Sequence, residues 1–398
     1  MANTTFDYEA SARRLCGTYR REKVDHIPII SPIPWSPHRD IDATEFGDWR
    51  DEERFRRVAR LVQQYCDVQP PHNIVPVPRV FAPQSYQRFL EAPQEYVEDL
   101  PPEKVSPIRT RYTSILHTPK GDLTWIHEQD AGIFTEWDVH RPVQSVEDVE
   151  KLLSVPCPFI PPDPAELEPF RQHRAAMGEN AISGAGVNSM VAMLCGIMPY
   201  ELLLEWVISE PGIIKALADA WLERVSVRVD WLLSQGVGPF WHFNGVERAS
   251  PPMMGPKQWE QWVVPYDGEI KRRIKAADPN ARIHVHCHGR VRTLLDSFVA
   301  MGVDSIDPVE PPPQGDADIA EVKRTYDGRL VFYGNIEFLD METRQPDEIE
   351  ALVRHAIEAS GKHNIVLMPS AGPHERPSDL MLANAERYIE AGLKYGAM

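Results

Sequence analysis

Residues 281–310 read ARIHVHCHGRVRTLLDSFVAMGVDSIDPVE. An apolar run, an amphipathic stretch and a second apolar run follow one another here, which is the pattern of strand, helix and strand. The same order recurs from about residue 180 to the end of the chain, and the apolar runs cover 181–194, 238–247, 281–289, 303–310, 329–337 and 364–372. Six such units and an early strand at 26–31 approach the eight of a (β/α)₈ barrel. The sequence therefore predicts an α/β protein built as a single TIM-type barrel domain over residues 1–398.

Amphipathic segments separate the apolar runs, and an N-terminal helical extension precedes the early strand. The predicted helices are Glu201 to Gln235, Pro256 to Ala276, Val291 to Met301, Asp316 to Thr325 and Pro346 to Ser360. Residues 34–163 depart from this order and are interpreted as an insertion. Within it, residues 109–139 alternate as a strand pair does, around a Pro-Lys-Gly-Asp turn. We expect an antiparallel hairpin near the barrel mouth.

The composition argues against several classes of protein. The 398 residues include 42 basic and 59 acidic side chains, so the net charge of −17 disfavours a nucleic-acid partner. The five cysteines contain no CxxC pair, which argues against a disulfide framework or a cysteine-only zinc module. The N-terminus has no apolar signal core, and no apolar stretch approaches the about 18 residues of a membrane span. These features predict a cytoplasmic protein with no membrane partner.

Metal-ligating side chains collect at the predicted carboxyl ends of strands, where barrel enzymes carry their active sites. His284, His286 and His288 alternate along one strand and so project to one face. Neutral imidazole is the commonest ligand for zinc and similar metals, and a catalytic zinc uses three protein ligands. We predict that His286 and His288 bind a divalent metal, with Glu247 as the third ligand. Three further side chains are alternatives to Glu247: His242, His374 and Glu375.

The deepest histidine of this strand, His284, is predicted to be a core residue rather than a ligand. Alternation places Cys287 on the opposite face, towards the helices, as a small buried side chain. A second interpretation needs no metal at all, since the histidines can line a polar interior and hydrogen-bond to substrate. The sequence leaves both interpretations open.

Other strand-end residues are candidates for catalysis and for substrate binding. Asp307, Glu247 and His374 are predicted to act in catalysis, because shielded carboxylates and imidazoles transfer protons near neutral pH. Aromatic and amide side chains are suited to binding a small organic substrate. The predicted substrate-binding residues are Trp35, Asn188, Trp241, Asn335 and Ser370.

Five segments carry a recurring family pattern: RREKVDHIPII (20–30), SPPMMGPKQWEQWVVPY (250–266), IHVHCHGRVRTLLDSFVAMGVDSID (283–307), LVFYGNIE (330–337) and NIVLMPSAGPHERPSDL (364–380). Together they resemble the uroporphyrinogen decarboxylase superfamily, which also holds the zinc-dependent methylcobamide methyltransferases and related O-demethylases. The resemblance covers nearly the whole chain, and it implies a barrel enzyme that acts on a small molecule. Members of the superfamily are often homodimers, which makes a homodimer an expectation here.

Within the superfamily, this chain looks closer to the methyltransferase branch than to the true decarboxylases. The decarboxylases carry an arginine-rich loop after the first strand, whereas residues 31–37 read SPIPWSP and the next arginine is Arg39. The methyltransferase branch has a hairpin insertion that resembles HTPKGDLTW at 117–125. That branch holds zinc with an H-x-C pair and a late cysteine. Here His288 stands in place of the first cysteine, and Ser370-Ala371 in place of the second.

The resemblance implies a metal-dependent methyltransferase, with zinc or another divalent ion. Imidazole and oxygen ligands make such an ion a stronger Lewis acid towards oxygen than thiolates do. We therefore expect demethylation of a small methyl ether, with transfer of the methyl group to a corrinoid carried by a partner protein. Two alternatives stay open: a metal-free decarboxylase or lyase of a small carboxylate, and a non-catalytic module that binds a corrinoid or tetrapyrrole.

Overall fold

The computed structural model describes residues 6–133, 135–373 and 375–398. In these residues the strands are β1 (Val97–Asp99), β2 (Glu103–Lys104), β3 (Arg109–Leu116), β4 (Leu123–Asp130), β5 (Glu136–His140), β6 (Gly184–Asn188), β7 (Phe240–Asn244), β8 (Arg282–His286), β9 (Ser305–Asp307), β10 (Val331–Ile336) and β11 (Ile365–Pro369). The first half of the helices comprises α1 (Tyr8–Arg20), α2 (Glu53–Tyr65), α3 (Gln84–Gln87), α4 (Val146–Leu153), α5 (Glu168–Met177), α6 (Met190–Ile197), α7 (Tyr200–Ser209) and α8 (Pro211–Ser234). The second half comprises α9 (Pro256–Trp262), α10 (Val264–Ala277), α11 (Leu295–Ala300), α12 (Ile319–Tyr326), α13 (Phe338–Thr343), α14 (Pro346–Ser360) and α15 (Asp379–Gly396). Helices follow the strands from β6 onward, so the α/β class is confirmed.

The six strands β6 to β11 form one parallel sheet in sequence order. The early segment predicted as a strand joins this sheet only by isolated bridges, from Ile29 to Leu367 on β11 and from Ile30 to Asp67. On the far edge, the backbone N–H of His72 donates to the carbonyl of Ile182, just before β6. The described residues thus contain a six-stranded parallel sheet, and its closure into an eight-stranded barrel stays a prediction.

Two apolar clusters lie on the two faces of the parallel sheet. The larger one, between the strands and their helices, includes Trp241, Ile283 and Cys287, all fully buried. The smaller one lies on the other face and includes Phe240 together with Leu15 of α1. The N-terminal helix therefore packs against the face that carries Phe240, and successive residues of a strand alternate between the two clusters.

Two of the predicted helices are divided. The predicted segment Glu201 to Gln235 breaks at Glu210, because Pro211 lacks the N–H that would continue α7 and instead starts α8. Pro265 has the same effect, and α9 ends at Trp262 before α10 begins. Among the described helices none is by itself long and apolar enough to cross a membrane; α6 and α7 meet the length and hydropathy criteria only as a pair, and they are bent by 116°.

The inserted region contains a separate antiparallel sheet. Strands β3 and β4 form the expected hairpin, with Arg109 opposite Asp130 and Leu116 opposite Leu123. The sheet is larger than predicted, because β1 and β2 both pair with β3, and β5 pairs with β4. It is anchored at Asp138 of β5, whose carboxylate accepts hydrogen bonds from Arg88, from the Trp125 indole at 2.8 Å and from Arg141 at 2.7 Å.

Candidate active site

A histidine cluster lies near the carboxyl ends of three adjacent strands. Register pairs His242 of β7 with His284 of β8, and His286 of β8 with Asp307 of β9. The rings of His242 and His284 lie 4.9 Å apart, and those of His242 and His286 lie 6.4 Å apart. Alternation along β7 and β8 thus brings three imidazoles to one face of the sheet.

Asp307 links two of these histidines. Its Oδ1 lies 2.8 Å from His284 Nε2, and its Oδ2 lies 3.1 Å from His286 Nδ1. The other nitrogen of His284, Nδ1, is 2.8 Å from the Ser305 hydroxyl, which in turn lies 2.6 Å from the Tyr19 hydroxyl of α1. The carboxylate and His284 are each 1% exposed, so the orientation of this cluster is fixed from within the core.

Burial and neighbouring charges shift the pKa values of Asp307 and His286 in opposite directions. Burial alone would raise the pKa of Asp307, but the adjacent His284 and His286 hold that pKa well below its usual range. Burial would likewise lower the pKa of His286, yet its hydrogen bond to Asp307 raises the pKa overall. Burial and the neighbouring His284 lower the pKa of His242 to about 3. His242 is therefore neutral at pH 7, whereas Asp307 is ionised.

The next polar layer lies further out, beyond the ends of the strands. His288 Nδ1 is 2.9 Å from Glu310 Oε1, and the His288 side chain is 39% exposed. Ser370 donates a hydrogen bond to Glu337 Oε2 at 3.1 Å. Burial and the nearby Glu310 raise the pKa of Glu337 to about 7. This layer thus brings the carboxylates of Glu310 and Glu337 near one another, with His288 in contact with Glu310.

A cavity of about 300 Å³ opens beside His286. Residues from the strand ends and from the insertion line it, including Asn188, Glu247, Arg248 and Asp138. Glu247 and Arg248 belong to a short 3-10 helix, Val246–Ala249, which follows directly after β7. The preceding Gly245 has a φ of +85°, and a Cβ there would lie 2.3 Å from that of Ala192, so only glycine permits this turn.

The cavity wall is polar and carries several cations. Arg88 and Arg141 also line it, and both pair with Asp138. No described carboxylate forms an ion pair with Arg248. The amide of Asn188 donates to Gln87 Oε1 at 2.7 Å, which fixes the orientation of that amide at the end of β6. The cavity is thus suited to a small molecule with oxygen atoms, and Arg248 is available to bind an anionic group.

The structure brings only part of the predicted set to this cavity. Asn188, Glu247 and His286 line it, and Asp307 lies directly behind His286. Asn335 instead donates to the carbonyl of Val309 at 2.6 Å. Ser370 binds Glu337 in the outer layer, and His374 lies outside the described residues. The proposed roles of Asn188, Glu247 and Asp307 therefore stay predictions that the geometry permits.

The two tryptophans that were predicted to bind substrate, Trp35 and Trp241, lie outside the cavity. Trp241 is completely buried in the cluster between strands and helices, because it alternates with His242 and must face away from it. Trp35 is 5% exposed and packs edge-on against Phe46 of the insertion, with ring centroids 5.6 Å apart. Neither tryptophan lines the cavity, so the interpretation of these two residues as substrate contacts is corrected.

The predicted metal ligands are also distributed differently from the expectation. Among the residues that the structure describes, one group of three brings its ligand atoms within 4.8 Å of one another, and it consists of His242, His284 and Asp307. The predicted set of His286, His288 and Glu247 does not form such a group. His288 lies too far out, since β8 ends at His286 and the chain then turns towards Glu310.

Some residues of the site carry no clear signal in the sequence. Arg88 and Arg141 lie in the insertion, where no periodic pattern points to the cavity. His242 stood only as an alternative ligand, and His284 as a core residue. The pairing of these two histidines follows from the register between β7 and β8, which a single sequence does not contain.

Comparisons with known proteins agree with this architecture. The sequence profile of the family described as Uroporphyrinogen decarboxylase (URO-D) matches residues 136–394. No curated protein sequence matches the chain. A solved structure, a methyltransferase from Methanosarcina mazei, is similar over 97% of this chain and 99% of that chain, with a TM-score of 0.56 and 15% sequence identity. At this level of identity the likeness concerns the fold.

Proposed function

The chain belongs to the uroporphyrinogen decarboxylase family, and from that premise we propose that it is a metal-dependent methyltransferase. Its substrate in this proposal is a small methyl ether, and its methyl acceptor is a corrinoid carried by a partner protein. The similar fold of the Methanosarcina methyltransferase supports this assignment. The absence of arginine from residues 31–37 disfavours the decarboxylase branch. The proposal includes a barrel closed by the segments near Ile29 and Asp67.

The observation that carries the proposal is the position of His286 in the cavity wall. Asp307 accepts the hydrogen bond from His286 Nδ1, which leaves Nε2 as the ring nitrogen that can meet a bound molecule. A substrate whose ether oxygen lies against Nε2 can receive a proton there as the methyl group departs. Asp307 orients the ring and stabilises its charged form.

The rest of the cavity has binding roles in this proposal. The amide of Asn188, fixed by Gln87, would orient the substrate through a hydrogen bond. Arg248 would pair with an anionic substituent, since no carboxylate among the described residues pairs with it. The insertion supplies the outer wall through Asp138 and its arginines, and this wall limits access of water to His286.

The donor set of the histidine cluster fits a divalent metal. His242 Nε2, His284 Nε2 and Asp307 Oδ1 are buried and have no hydrogen-bond partner. A bound ion would supply Lewis-acid chemistry that lowers the pKa of an oxygen leaving group. Zinc, the corrinoid and a homodimeric assembly belong to the proposal on the strength of the family resemblance.

The proposed function is tested with free cob(I)alamin as the methyl acceptor and a panel of methoxylated small molecules. We expect the visible spectrum to shift to that of the methylated corrinoid, with equimolar release of the demethylated product. His286→Gln should reduce the rate by about 10²–10⁴-fold, the contribution of a positioned proton donor. His117→Gln, in the exposed turn after β3, is the control and should leave the rate unchanged. Wild-type protein that transfers no methyl group from any ether would contradict the proposal.

A second candidate function is a lyase that removes CO₂ from a small carboxylate. The cavity position of Arg248, without a described carboxylate partner, favours an anionic substrate as much as a neutral ether. In that reaction His286 would deliver the proton that replaces the lost carboxylate. Release of CO₂ from a panel of small carboxylates, in the absence of any corrinoid, would favour this candidate over methyl transfer.

A further inference from the structure

We infer that His242 Nε2, His284 Nε2 and Asp307 Oδ1 form a binding site for a divalent transition-metal ion, one layer below the cavity. The site deepens the proposed function, since it locates the ion on which that function depends. It also differs from the arrangement expected from the sequence, in which His286 and His288 hold the metal at the strand ends. Three observations support the site: its donor atoms converge, they lack hydrogen-bond partners, and neighbouring residues orient them.

Three polar atoms without hydrogen-bond partners converge at one point. Each of them has almost no accessible surface, and all three lie within 4.8 Å of one another. Burial of an unsatisfied polar atom destabilises the folded state, and native proteins contain few of them. Three such atoms that face one another are therefore better explained by a shared ligand than by three separate defects.

A proton alone does not satisfy this cluster. His284 Nε2 and Asp307 Oδ1 are 2.8 Å apart, but the N–H direction does not meet the requirement for a hydrogen bond. Even a well-aligned bond between them would leave His242 Nε2 without a partner. Two ligand atoms that share a tetrahedral zinc are about 3.3 Å apart, given metal–ligand distances of about 2.0–2.1 Å. His284 Nε2 and Asp307 Oδ1 are 2.8 Å apart, and all three donor atoms lie within 4.8 Å of one another, so small shifts of the side chains would bring them to that spacing.

Residues behind the ligands orient them as metal sites require. The Ser305 hydroxyl binds His284 Nδ1 and so directs Nε2 towards the proposed ion. Tyr19 in turn binds Ser305 and Tyr333, which extends the network into the core. Asp307 uses its other oxygen for His286, so that Oδ1 alone faces the site. Such outer hydrogen bonds set the tautomer and direction of metal-binding histidines.

The chemistry of the donors narrows the class of ion. Two neutral imidazoles and one carboxylate are the ligands of several catalytic zinc sites and of non-haem iron(II) sites, and both leave open positions. The absence of a thiolate from the three donors disfavours copper(I), and the two nitrogen donors disfavour magnesium and calcium.

The test measures binding of Zn²⁺, Co²⁺ and Fe²⁺ to the metal-free full-length protein, with no substrate or corrinoid present. We expect about one ion per chain, a visible Co²⁺ spectrum typical of nitrogen and oxygen ligands, and a higher melting temperature with metal. His242→Gln and Asp307→Asn should each weaken binding by more than about 100-fold, since even outer-shell changes cost about 10–100-fold. His288→Gln is the matched control and should retain wild-type binding.

The outcomes separate this inference from the proposed function. Loss of metal in a folded His242→Gln or Asp307→Asn protein, together with its retention in His288→Gln, would support the site. Folded wild-type protein that binds none of the three ions would overturn it, as would binding that survives His242→Gln but is lost in His288→Gln. Wild-type binding is decisive even if one variant fails to fold. Methyl transfer that requires metal but survives in a folded His242→Gln protein would overturn the site alone, whereas metal binding without methyl transfer would overturn only the proposed function.

Discussion

The inner layer of the site, His242, His284 and Asp307, differs from the outer layer, His288, Glu310 and Glu337, in how its charges are stabilised. Between His284 and His288 the exposed fraction of the side chain rises from 1% to 39% over four residues. The ligand atoms of the inner layer have almost no accessible surface and depend on one another, whereas His288 has solvent as an alternative partner. The same residue type therefore serves as a candidate ligand in one layer and as a solvated partner of a carboxylate in the other.

The largest expected loss of unfolding free energy comes from removal of the Asp307 carboxylate in the inner layer. Asp307→Ala leaves His286 without its hydrogen-bond acceptor and His284 without the carboxylate 2.8 Å from its Nε2, and breaking a buried pair in this way costs about 3–5 kcal/mol. Urea unfolding of the metal-free protein measures this loss. Asp122→Ala, which removes an exposed partner of His117, should leave the unfolding midpoint unchanged. Equal effects of the two substitutions would show that burial adds nothing to the cost of removing the carboxylate partner of a histidine.

A smaller change in folding stability, dependent on pH, is expected when Glu337 of the outer layer is replaced. The pKa of Glu337 is about 7 in the folded protein, against an ordinary value of 4.5. Between pH 4.5 and 7 the unfolded chain releases this proton while the folded chain keeps it, so Glu337 destabilises the fold increasingly as pH rises through that range. Glu337→Gln should therefore match the wild type near pH 4.5 and be more stable above pH 7.

Unfolding midpoints at a series of pH values test this expectation. The exposed Glu358 of α14 provides the control, and Glu358→Gln should leave the pH profile of stability as it is in the wild type. A constant difference between Glu337→Gln and wild type at every pH would contradict the role of burial and of Glu310 at this position.

The smallest effect is expected at Ser370. Its hydroxyl donates to Glu337 and accepts the backbone N–H of Phe338 at 2.9 Å. Ser370→Ala should cost about 0.5–1.5 kcal/mol of unfolding free energy, the net value of a typical hydrogen bond. Ser234→Ala, at an exposed hydroxyl that donates to the Trp231 carbonyl and accepts from the Gln235 amide, should cost less when both are measured by urea unfolding. A larger cost at Ser234 would indicate that the outer layer contributes nothing to stability.

Much of the fold follows from periodicity in the sequence. The apolar runs at 238–247 and 281–289 contain β7 and β8, and alternation correctly separates Cys287 from the histidines. The same rule would have corrected the interpretation of Trp241, because a residue adjacent to an inward-facing His242 must face the helices. The divisions at Pro211 and Pro265 required more than periodicity, and proline chemistry supplies the reason for both.

The arrangement of the site was less accessible to prediction, for three physical reasons. The first is register, because the adjacency of His242 and His284, which are 42 positions apart in sequence, depends on the stagger between two strands. The second is the point at which β8 ends, since two residues decide whether His288 joins the cluster or turns to Glu310. The contribution of Arg88 required a third kind of knowledge, namely how the insertion folds back over the sheet.

The carboxylate of Asp138 has a consequence for how this molecule can diversify. It accepts hydrogen bonds from Trp125 and from Arg88 and Arg141, beside the cavity. Other residues of the cavity wall, such as Asn188 and His286, lie at the ends of strands of the parallel sheet. The family match begins at residue 136, so Asp138 lies at the boundary between the shared framework and a segment outside the match. Substitutions upstream of that boundary can reshape the opening and alter which molecules enter, while His286 and Asp307 keep their positions. Part of the cavity wall and the histidine cluster thus lie on separable stretches of chain.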